Sequence, residues 1–351
     1  MTTFLASVFV FGLMIFFHEL GHFSVAKMVG VRVLEFSIGM GPQLFGLRRG
    51  ATLYALRLLP VGGFVRMAGM EAGEDGQFAA SPSDPGNFNN KTVAQRAAVI
   101  FAGSFMNFIL AFLLFIYIYT IIGVPTYSNV IGDVLAGKPA QTAGIRPGDR
   151  ILAVNGKTTE NWSELLQEIH PRGGQEVTLT VESQGAVRDV KVVPGLDPER
   201  NVGQIGITVD DKTVYNEKKG LFTSLKLGLV NTLAITTMIL HSIFQMITGA
   251  APAEVGGPVM IVNEIGKAAQ IGLTSLLMLA AVLSINLGLL NLFPIPALDG
   301  SRLVFLGLEA LRGRPIDPAK ENTIHLIGFA LLIGLMLLIA YKDVLKLLGG
   351  G

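Results

Sequence analysis

Two histidines and one glutamate, close together in a hydrophobic segment, are the residues best suited to chemistry in this chain. His18, Glu19 and His22 lie in the pattern His-Glu-Leu-Gly-His. Residues four positions apart share one face of a helix, so the two imidazoles can bind a single metal ion. Glu19 lies beside them, where it can take a proton from water that the metal activates. The pattern predicts a hydrolytic zinc site; histidines that only hydrogen-bond to neighbouring helices are the alternative.

A catalytic zinc ion needs a third protein ligand and an open position for water. The chain has no cysteine, so this ligand is a histidine, an aspartate or a glutamate. Asp299 is the best candidate, because it is the only ionisable residue between Lys267 and Arg302. A helix cap beside Arg302 is the alternative role for this aspartate. The remaining histidines are predicted to be surface or packing residues: His170, His241 and His325.

The elements that carry these residues follow from an uneven distribution of charge. Of the 351 residues, 15% are charged and 50% are hydrophobic, which is too little charge for an ordinary soluble enzyme. About 26% of residues 127–219 are charged, against about 11% of the rest of the chain. We therefore interpret the chain as a membrane protein with a soluble insert. The net charge of +1 suggests no basic surface, so no nucleic acid is expected as a partner.

Four stretches are long and apolar enough to cross a bilayer: residues 4–26, 97–124, 275–298 and 324–341. A fifth stretch, 221–250, is also apolar but contains many hydroxyl and amide side chains. We interpret this stretch as an amphipathic helix in the membrane interface, with a fifth span as the alternative.

Basic residues predict the orientation of the spans. They are concentrated after the first span and again between the third and fourth spans, where they are Arg302, Arg312, Arg314 and Lys320. Both segments are therefore expected in the cytoplasm, with the insert and both termini outside. A fifth crossing would put the Arg302 loop outside, against this rule. His22 and Asp299 are then both expected near the cytoplasmic leaflet, where the two half-sites can meet.

Further motifs accompany the metal pattern: residues 36–39 (Phe-Ser-Ile-Gly), 59–65 (Leu-Pro-Val-Gly-Gly-Phe-Val), 88–91 (Phe-Asn-Asn-Lys), Gly103 with Asn107, and 291–300 (Asn-Leu-Phe-Pro-Ile-Pro-Ala-Leu-Asp-Gly). Together they resemble the site-2 protease family of intramembrane zinc metalloproteases, and closely its bacterial regulator-of-sigma-E protease branch. The resemblance covers nearly the whole chain.

This resemblance implies roles for individual residues. It implies that His18, His22 and Asp299 bind zinc and that Glu19 is the general base. It also implies a group of residues near the substrate: Asn291, Pro294, Pro296, Gly62, Gly63, Phe64 and Asn107. A β-hairpin within residues 33–67 is expected to hold the substrate along its edge strand, with a peripheral cytoplasmic sheet as the alternative.

The expected fold is an α-helical polytopic membrane protein with four transmembrane helices, a membrane-associated β-hairpin or sheet and an inserted extracytoplasmic PDZ domain. Residues 1–125 hold the first two spans and a cytoplasmic re-entrant β region at about 33–67. Residues 126–219 form the PDZ-like domain. Residues 220–351 hold the interfacial helix, at about 221–250, and the last two spans.

The expected function is cleavage of transmembrane segments of single-pass membrane proteins, such as anti-sigma factors or leftover signal peptides, in regulated intramembrane proteolysis. A site-1 protease would trim the substrate beforehand, and the PDZ domain would bind peptide C-termini. The protein would lie in the bacterial cytoplasmic membrane as a multi-pass protein, in contact with the lipid bilayer. A zinc-dependent transporter and an inactive PDZ scaffold are the alternatives. The intact set of His18, Glu19, His22 and Asp299 favours the protease.

Overall fold

Two compact units make up the chain, one from residues up to 118 together with those from 221 onward, the other from residues 119–220. The computed structural model describes residues 2–70, 83–197, 201–250 and 256–348. The first unit contains α1 (Thr2–Met28), α2 (Val93–Tyr117), α5 (Leu221–Ile247), α6 (Pro258–Ile271), α7 (Leu273–Leu292), α8 (Asp299–Arg312) and α9 (Pro318–Leu348). The second contains the short helices α3 (Pro139–Thr142) and α4 (Trp162–Ile169).

Five helices in the described part of the chain are long and apolar enough to cross a membrane: Thr2–Met28, Val93–Ile122, Leu221–Ile247, Leu273–Leu292 and Lys320–Lys346. Four of them coincide with the four predicted spans. The other is α5, the stretch interpreted as an interfacial helix. Length and hydropathy alone therefore leave both interpretations of α5 open.

The third predicted span, residues 275–298, is expected to unwind at Pro294 and Pro296. In the structure α7 ends at Leu292, and residues 293–298 are not helical. Pro294 and Pro296 have no backbone N–H to donate and cannot continue a helix. Asp299 instead begins a separate helix, α8.

Close contact between α1 and α2 brings the histidines of α1 against a neighbouring helix. A Cβ atom at Gly21 would lie 2.7 Å from the backbone carbon of Ala102, so only glycine allows this approach. The start of α2 is fixed by a capping box, in which Thr92 and Gln95 bind each other's backbone N–H groups. Gly21 therefore allows α1 and α2 to cross closely, and the capping box fixes where α2 begins.

An irregular sheet of β1 (Val33–Arg49) and β2 (Thr52–Met67) packs on α1. Residues 35–38 pair with residues 53–56 and also with 63–66, while residues 43–49 pair with 52–57. Within the described residues, 63–66 pair with β1 alone and form one edge of the sheet. The ring of Phe36 lies 5.2 Å from Phe23 and 6.0 Å from Phe16, centroid to centroid, which fastens the sheet to α1.

The second unit is a small β-rich body around one apolar core. Its strands are β3 (Val124–Tyr127), β4 (Ile131–Val134), β5 (Arg150–Val154), β6 (Lys157–Thr158), β7 (Val177–Ser183), β8 (Ala186–Val192), β9 (Gly195–Leu196), β10 (Gly203–Gln204), β11 (Ile207–Val209) and β12 (Val214–Glu217). A four-stranded sheet has the order β6-β5-β7-β8, and three strand pairs, β3–β12, β4–β11 and β9–β10, complete the unit. Ile151, Leu165 and Leu179 are fully buried in the core. Near the start of the unit, β3 pairs with β12, which lies near its end.

Candidate metal centre

Three side chains from α1 and α8 converge on one point. The Nε2 atoms of His18 and His22 lie 3.1 Å apart, and each lies 3.2 Å from Oδ2 of Asp299. Ligand atoms of a tetrahedral zinc ion, at about 2.0 Å from the metal, are separated by about 3.3 Å. The three atoms therefore have the spacing that one zinc ion requires.

The hydrogen bond of His22 fixes which ring nitrogen faces this point. Nδ1 of His22 lies 2.8 Å from the carbonyl oxygen of Val99, which can only accept, so Nδ1 carries the proton. In the neutral ring, Nε2 then presents a lone pair toward the Asp299 carboxylate. Asp299 Oδ2 is buried and has no hydrogen-bond partner in the described part of the chain. At 3.2 Å these two atoms share either a proton on Nε2 or a metal ion, and a metal ion would also be within reach of His18.

Asn107 on α2 contacts the ring of His18. Its amide lies 3.2 Å from Nδ1 of His18. Zinc on Nε2 of His18 requires a proton on Nδ1, so the amide must present its oxygen there, which a half-turn of the amide achieves. In the present orientation that oxygen is buried without a hydrogen-bond partner among the described residues. Asn107 is fully buried, which favours this orienting role over the predicted contact with substrate.

Replacing Asn107 with Leu is expected to weaken zinc binding by about 10-fold to 100-fold, the usual effect of losing a partner of a ligand. The ring of His18 would lose the acceptor that holds its Nδ1–H. Chelator competition with the purified protein measures the change. Ser104→Ala is the matched control, because Ser104 is also fully buried on α2 and its hydroxyl has no hydrogen-bond partner in the described chain. Equal zinc affinity in the two variants would contradict the role of Asn107.

A glycine on α2 makes room for both ligand rings. A Cβ atom at Gly103 would lie 2.9 Å from Cε1 of His18 and would overlap the ring of His22. Any larger side chain would push the two rings away from Asp299. Gly103 therefore leaves the space that the two histidine rings fill. Asn107, one turn later on α2, brings a hydrogen-bonding group to His18.

Glu19 lies on the side of α1 that faces the sheet edge. The backbone of Val65 lies beside its carboxylate. A Cβ atom at Gly63 would lie 3.2 Å from Cγ of Glu19, so the strand approaches this carboxylate closely because residue 63 is a glycine. Residues 63 and 65 share one face of the strand, and this face packs on α1 beside Glu19.

The other predicted substrate residues lie in two places near these groups. Asn291 is in the last turn of α7, and Pro294 and Pro296 follow in the non-helical loop that leads to Asp299. Pro294 is exposed and Pro296 is half-buried. On the sheet, Gly62 has a φ of +80° and Phe64 has the guanidinium of Arg57 over its ring at 5.1 Å. Within the described residues the three other histidines stay outside the ligand cluster: His170, His241 and His325.

Some partners of the site carry no local sequence signal. Val99 contributes only a backbone oxygen, and its type is that of any apolar helix residue. The hydroxyl of Ser284 on α7 donates to the backbone oxygen of Asn107 at 2.8 Å and ties α7 to α2. His325 contacts the loop before Asp299, although its sequence position predicts only packing. A serine or histidine in an apolar span is the one available signal, because such polar groups need a partner there.

Comparison with known proteins places the whole chain in one group. Residues 6–335 match the model of peptidase family M50. The zinc metalloprotease RasP of Geobacillus kaustophilus is 34% identical, with 97% of this chain and 97% of that protein aligned. The zinc metalloprotease RasP of Oceanobacillus iheyensis is 32% identical over 99% of this chain and 100% of that protein. The regulator of sigma-W protease RasP of Bacillus subtilis is 31% identical over 98% and 99%.

Several solved structures are similar to a part of the chain. One of them, the PDZ domain of the SdrC-like protein from Listeria monocytogenes, is 24% identical, covering 25% of this chain and 93% of its own, with a TM-score of 0.22. The family match, in contrast, extends over nearly all of the sequence and includes both parts of the ligand cluster. The chain therefore belongs to peptidase family M50.

Proposed function

We propose that this chain is a zinc metallopeptidase that hydrolyses peptide bonds in membrane-embedded segments of other proteins. In this proposal His18, His22 and Asp299 hold the zinc ion, and Glu19 is the general base. The observation that carries it is the convergence of two ring nitrogens and a buried carboxylate oxygen at 3.1–3.2 Å, with a glutamate next to them in sequence. The family and the zinc metalloprotease relatives support the same activity.

Each side chain of the site then has a defined task. When bound, zinc supplies the Lewis acidity that polarises the scissile carbonyl and makes water easier to deprotonate. Glu19 accepts the proton of the attacking water and passes it to the leaving amine. The backbone of Val65 would border the Glu19 carboxylate on the sheet side. Asn107 and the Val99 carbonyl keep both imidazoles turned toward the metal.

The sheet edge at residues 63–66 is proposed to bind the substrate as an added strand. A peptide bond inside a helix is shielded by the helix's own hydrogen bonds, so the substrate must be extended before it is cut. An open edge offers N–H and C=O groups to an extended chain. The contacts of Gly63 and Val65 with Glu19 support this, because a chain added along this edge would pass beside the general base. Asn291, Pro294 and Pro296 would border the same chain from the loop after α7.

We assign the protein to the bacterial cytoplasmic membrane, with four spans and α5 in the interface. The antiparallel crossing of α1 and α2 puts the start of α1 and the end of α2 on one side. Gly228 of α5 packs against Phe112 near the end of α2, and Gly266 of α6 packs against Thr3 at the start of α1. The first part of α5 and the following helix α6 thus both lie toward this side, which supports a helix that does not cross. By the distribution of basic residues, residues 126–219 are extracytoplasmic and the metal centre is near the cytoplasmic leaflet.

The proposed substrates are single-pass membrane proteins of the anti-sigma-factor type or leftover signal peptides. The name of the Bacillus subtilis relative, regulator of sigma-W protease, supports the first class. A site-1 protease would first remove the outer part of the substrate. The β-rich unit of residues 119–220 would act as a PDZ domain that binds the new peptide C-terminus.

Cleavage of a single-pass substrate in liposomes, with and without chelator, tests the proposed function. Substrate lacking its outer domain is expected to be cut within its transmembrane segment, as mass spectrometry of the fragments would show. Chelation should abolish cleavage and added zinc should restore it, whereas magnesium should not. The same liposomes, loaded with a zinc-sensitive dye, report transport. Zinc flux without any fragment would favour the transporter instead.

A further inference from the structure

The loop between α7 and α8 reaches Asp299 through an unusual backbone conformation. Ala297, two residues before the proposed ligand, has a φ of +80°, a region that side chains other than glycine rarely adopt. The loop is otherwise held by its own short-range bonds, from Ile295 N to the Phe293 oxygen and from Leu298 N to the Ile295 oxygen. A conformation of this kind persists only where its surroundings fix it.

His325 on α9 supplies one such fixed contact. The backbone N–H of Ala297 donates to Nδ1 of His325 at 3.1 Å. The histidine ring lies edge-on to Phe305 of α8, with the centroids 5.7 Å apart, and its side chain is only 15% exposed. Gly328, one turn further along α9, lets the helix approach Pro296, since a Cβ atom there would lie 2.8 Å from the Pro296 backbone. α9 therefore touches the loop at two consecutive residues.

The ring of His325 can act only as an acceptor toward this loop. Because Ala297 N–H donates to Nδ1, the neutral ring carries its proton on Nε2. That atom lies 3.7 Å from a carboxylate oxygen of Glu321, one turn earlier on α9. Packing alone would require a flat side chain of this size at position 325, but it would not require an acceptor at the position of Nδ1.

We propose that His325 is a positioning residue for the metal centre. It accepts the Ala297 N–H, holds that residue at positive φ, and so fixes the direction in which the chain enters α8. Asp299, as the first residue of α8, then presents its carboxylate to His18 and His22. The inference rests on the proposed function, in which Asp299 is a zinc ligand.

Two substitutions at position 325 separate hydrogen bonding from packing. His325→Asn keeps an acceptor near the position of Nδ1, whereas His325→Leu keeps apolar bulk without an acceptor. The zinc affinity of the full-length protein in detergent is measured by chelator competition. In His325→Leu it is expected to fall by about 10-fold or more, as it does when other residues that position a metal ligand are lost. The asparagine variant is expected to lie much closer to the wild type. Thermal unfolding of each variant controls for the fold.

A second substitution tests the backbone directly. Ala297→Gly removes the steric penalty of positive φ. Added to His325→Leu, it should restore part of the zinc affinity; in the wild-type background it should change little. A merely structural role of His325 would give no such dependence on the residue at 297.

The proposal is overturned if His325→Leu binds zinc like the wild type, or if His325→Asn is as weak as His325→Leu. Absence of rescue by Ala297→Gly in a folded double variant would also overturn it. Asp299→Ala is measured alongside. Full zinc affinity in that variant would refute the ligand assignment itself, whereas zinc loss there with a silent His325→Leu refutes His325 alone.

Discussion

Glu19→Gln is expected to abolish peptide cleavage while zinc stays bound. The amide is nearly isosteric with the carboxylate but cannot accept the proton of the attacking water. General acid–base catalysis contributes about 10²-fold to 10⁴-fold to a rate, so the residual activity should fall to about 1% or less. Glu19 is not one of the three converging ligands, so metal content should be unchanged. Single-turnover cleavage assays and metal analysis of the same preparation measure both quantities.

Glu264→Gln is the matched control for this experiment. Glu264 lies on α6, is half-exposed and pairs with Lys267, so the same change of atoms occurs away from the metal centre. Its cleavage rate should equal that of the wild type. If purified Glu19→Gln protein cleaved at the wild-type rate, the assignment of the general base would be wrong.

Asp299→Ala is expected to remove most of the bound zinc and, with it, all cleavage. The substitution deletes one of three ligand atoms and leaves two imidazoles that no longer face a carboxylate. Loss of a residue that hydrogen-bonds to a metal ligand already weakens metal binding by about 10-fold to 100-fold. Loss of the ligand itself should therefore weaken zinc binding by more than this. Competition with a chelator gives the affinity, and elemental analysis gives the occupancy.

Asp133→Ala serves as the control for loss of an aspartate. Asp133 is an exposed residue of β4 in the other compact unit. That variant should keep wild-type zinc content and activity. Stoichiometric zinc in folded Asp299→Ala protein would show that another residue completes the site.

The local part of the metal centre could be predicted from the sequence. Two histidines four residues apart on a helix meet whatever the rest of the fold does, because the helix itself places them together. Asp299 could be selected because ionisable residues are rare in apolar segments. Its position as the first residue of a separate helix could not, since this depends on how the chain turns at Ala297 after the two prolines end α7.

Contacts between distant segments could not be predicted. Asn107 and His18 are 89 residues apart, and neither residue's neighbours indicate which nitrogen faces which oxygen. The pairing of residues 35–38 with two different parts of β2 breaks the simple hairpin that the sequence indicates. The sequence predicts only a surface or packing role for His325, because a single histidine at the head of a span does not indicate which backbone group it contacts. These features depend on tertiary packing, which one sequence does not encode in any short pattern.

In the proposed binding mode, the strand edge at residues 63–66 affects which sequences can be cut. Its backbone groups would bind any extended chain alike, so the edge would discriminate little between side chains. Selectivity among substrates would then depend on how readily a substrate helix loses its own hydrogen bonds. Glycine and β-branched residues weaken a helix by fractions of a kcal/mol each, up to about 1 kcal/mol for glycine. In such a protease, the local stability of the substrate helix would decide whether it is cut, more than the identity of any single residue.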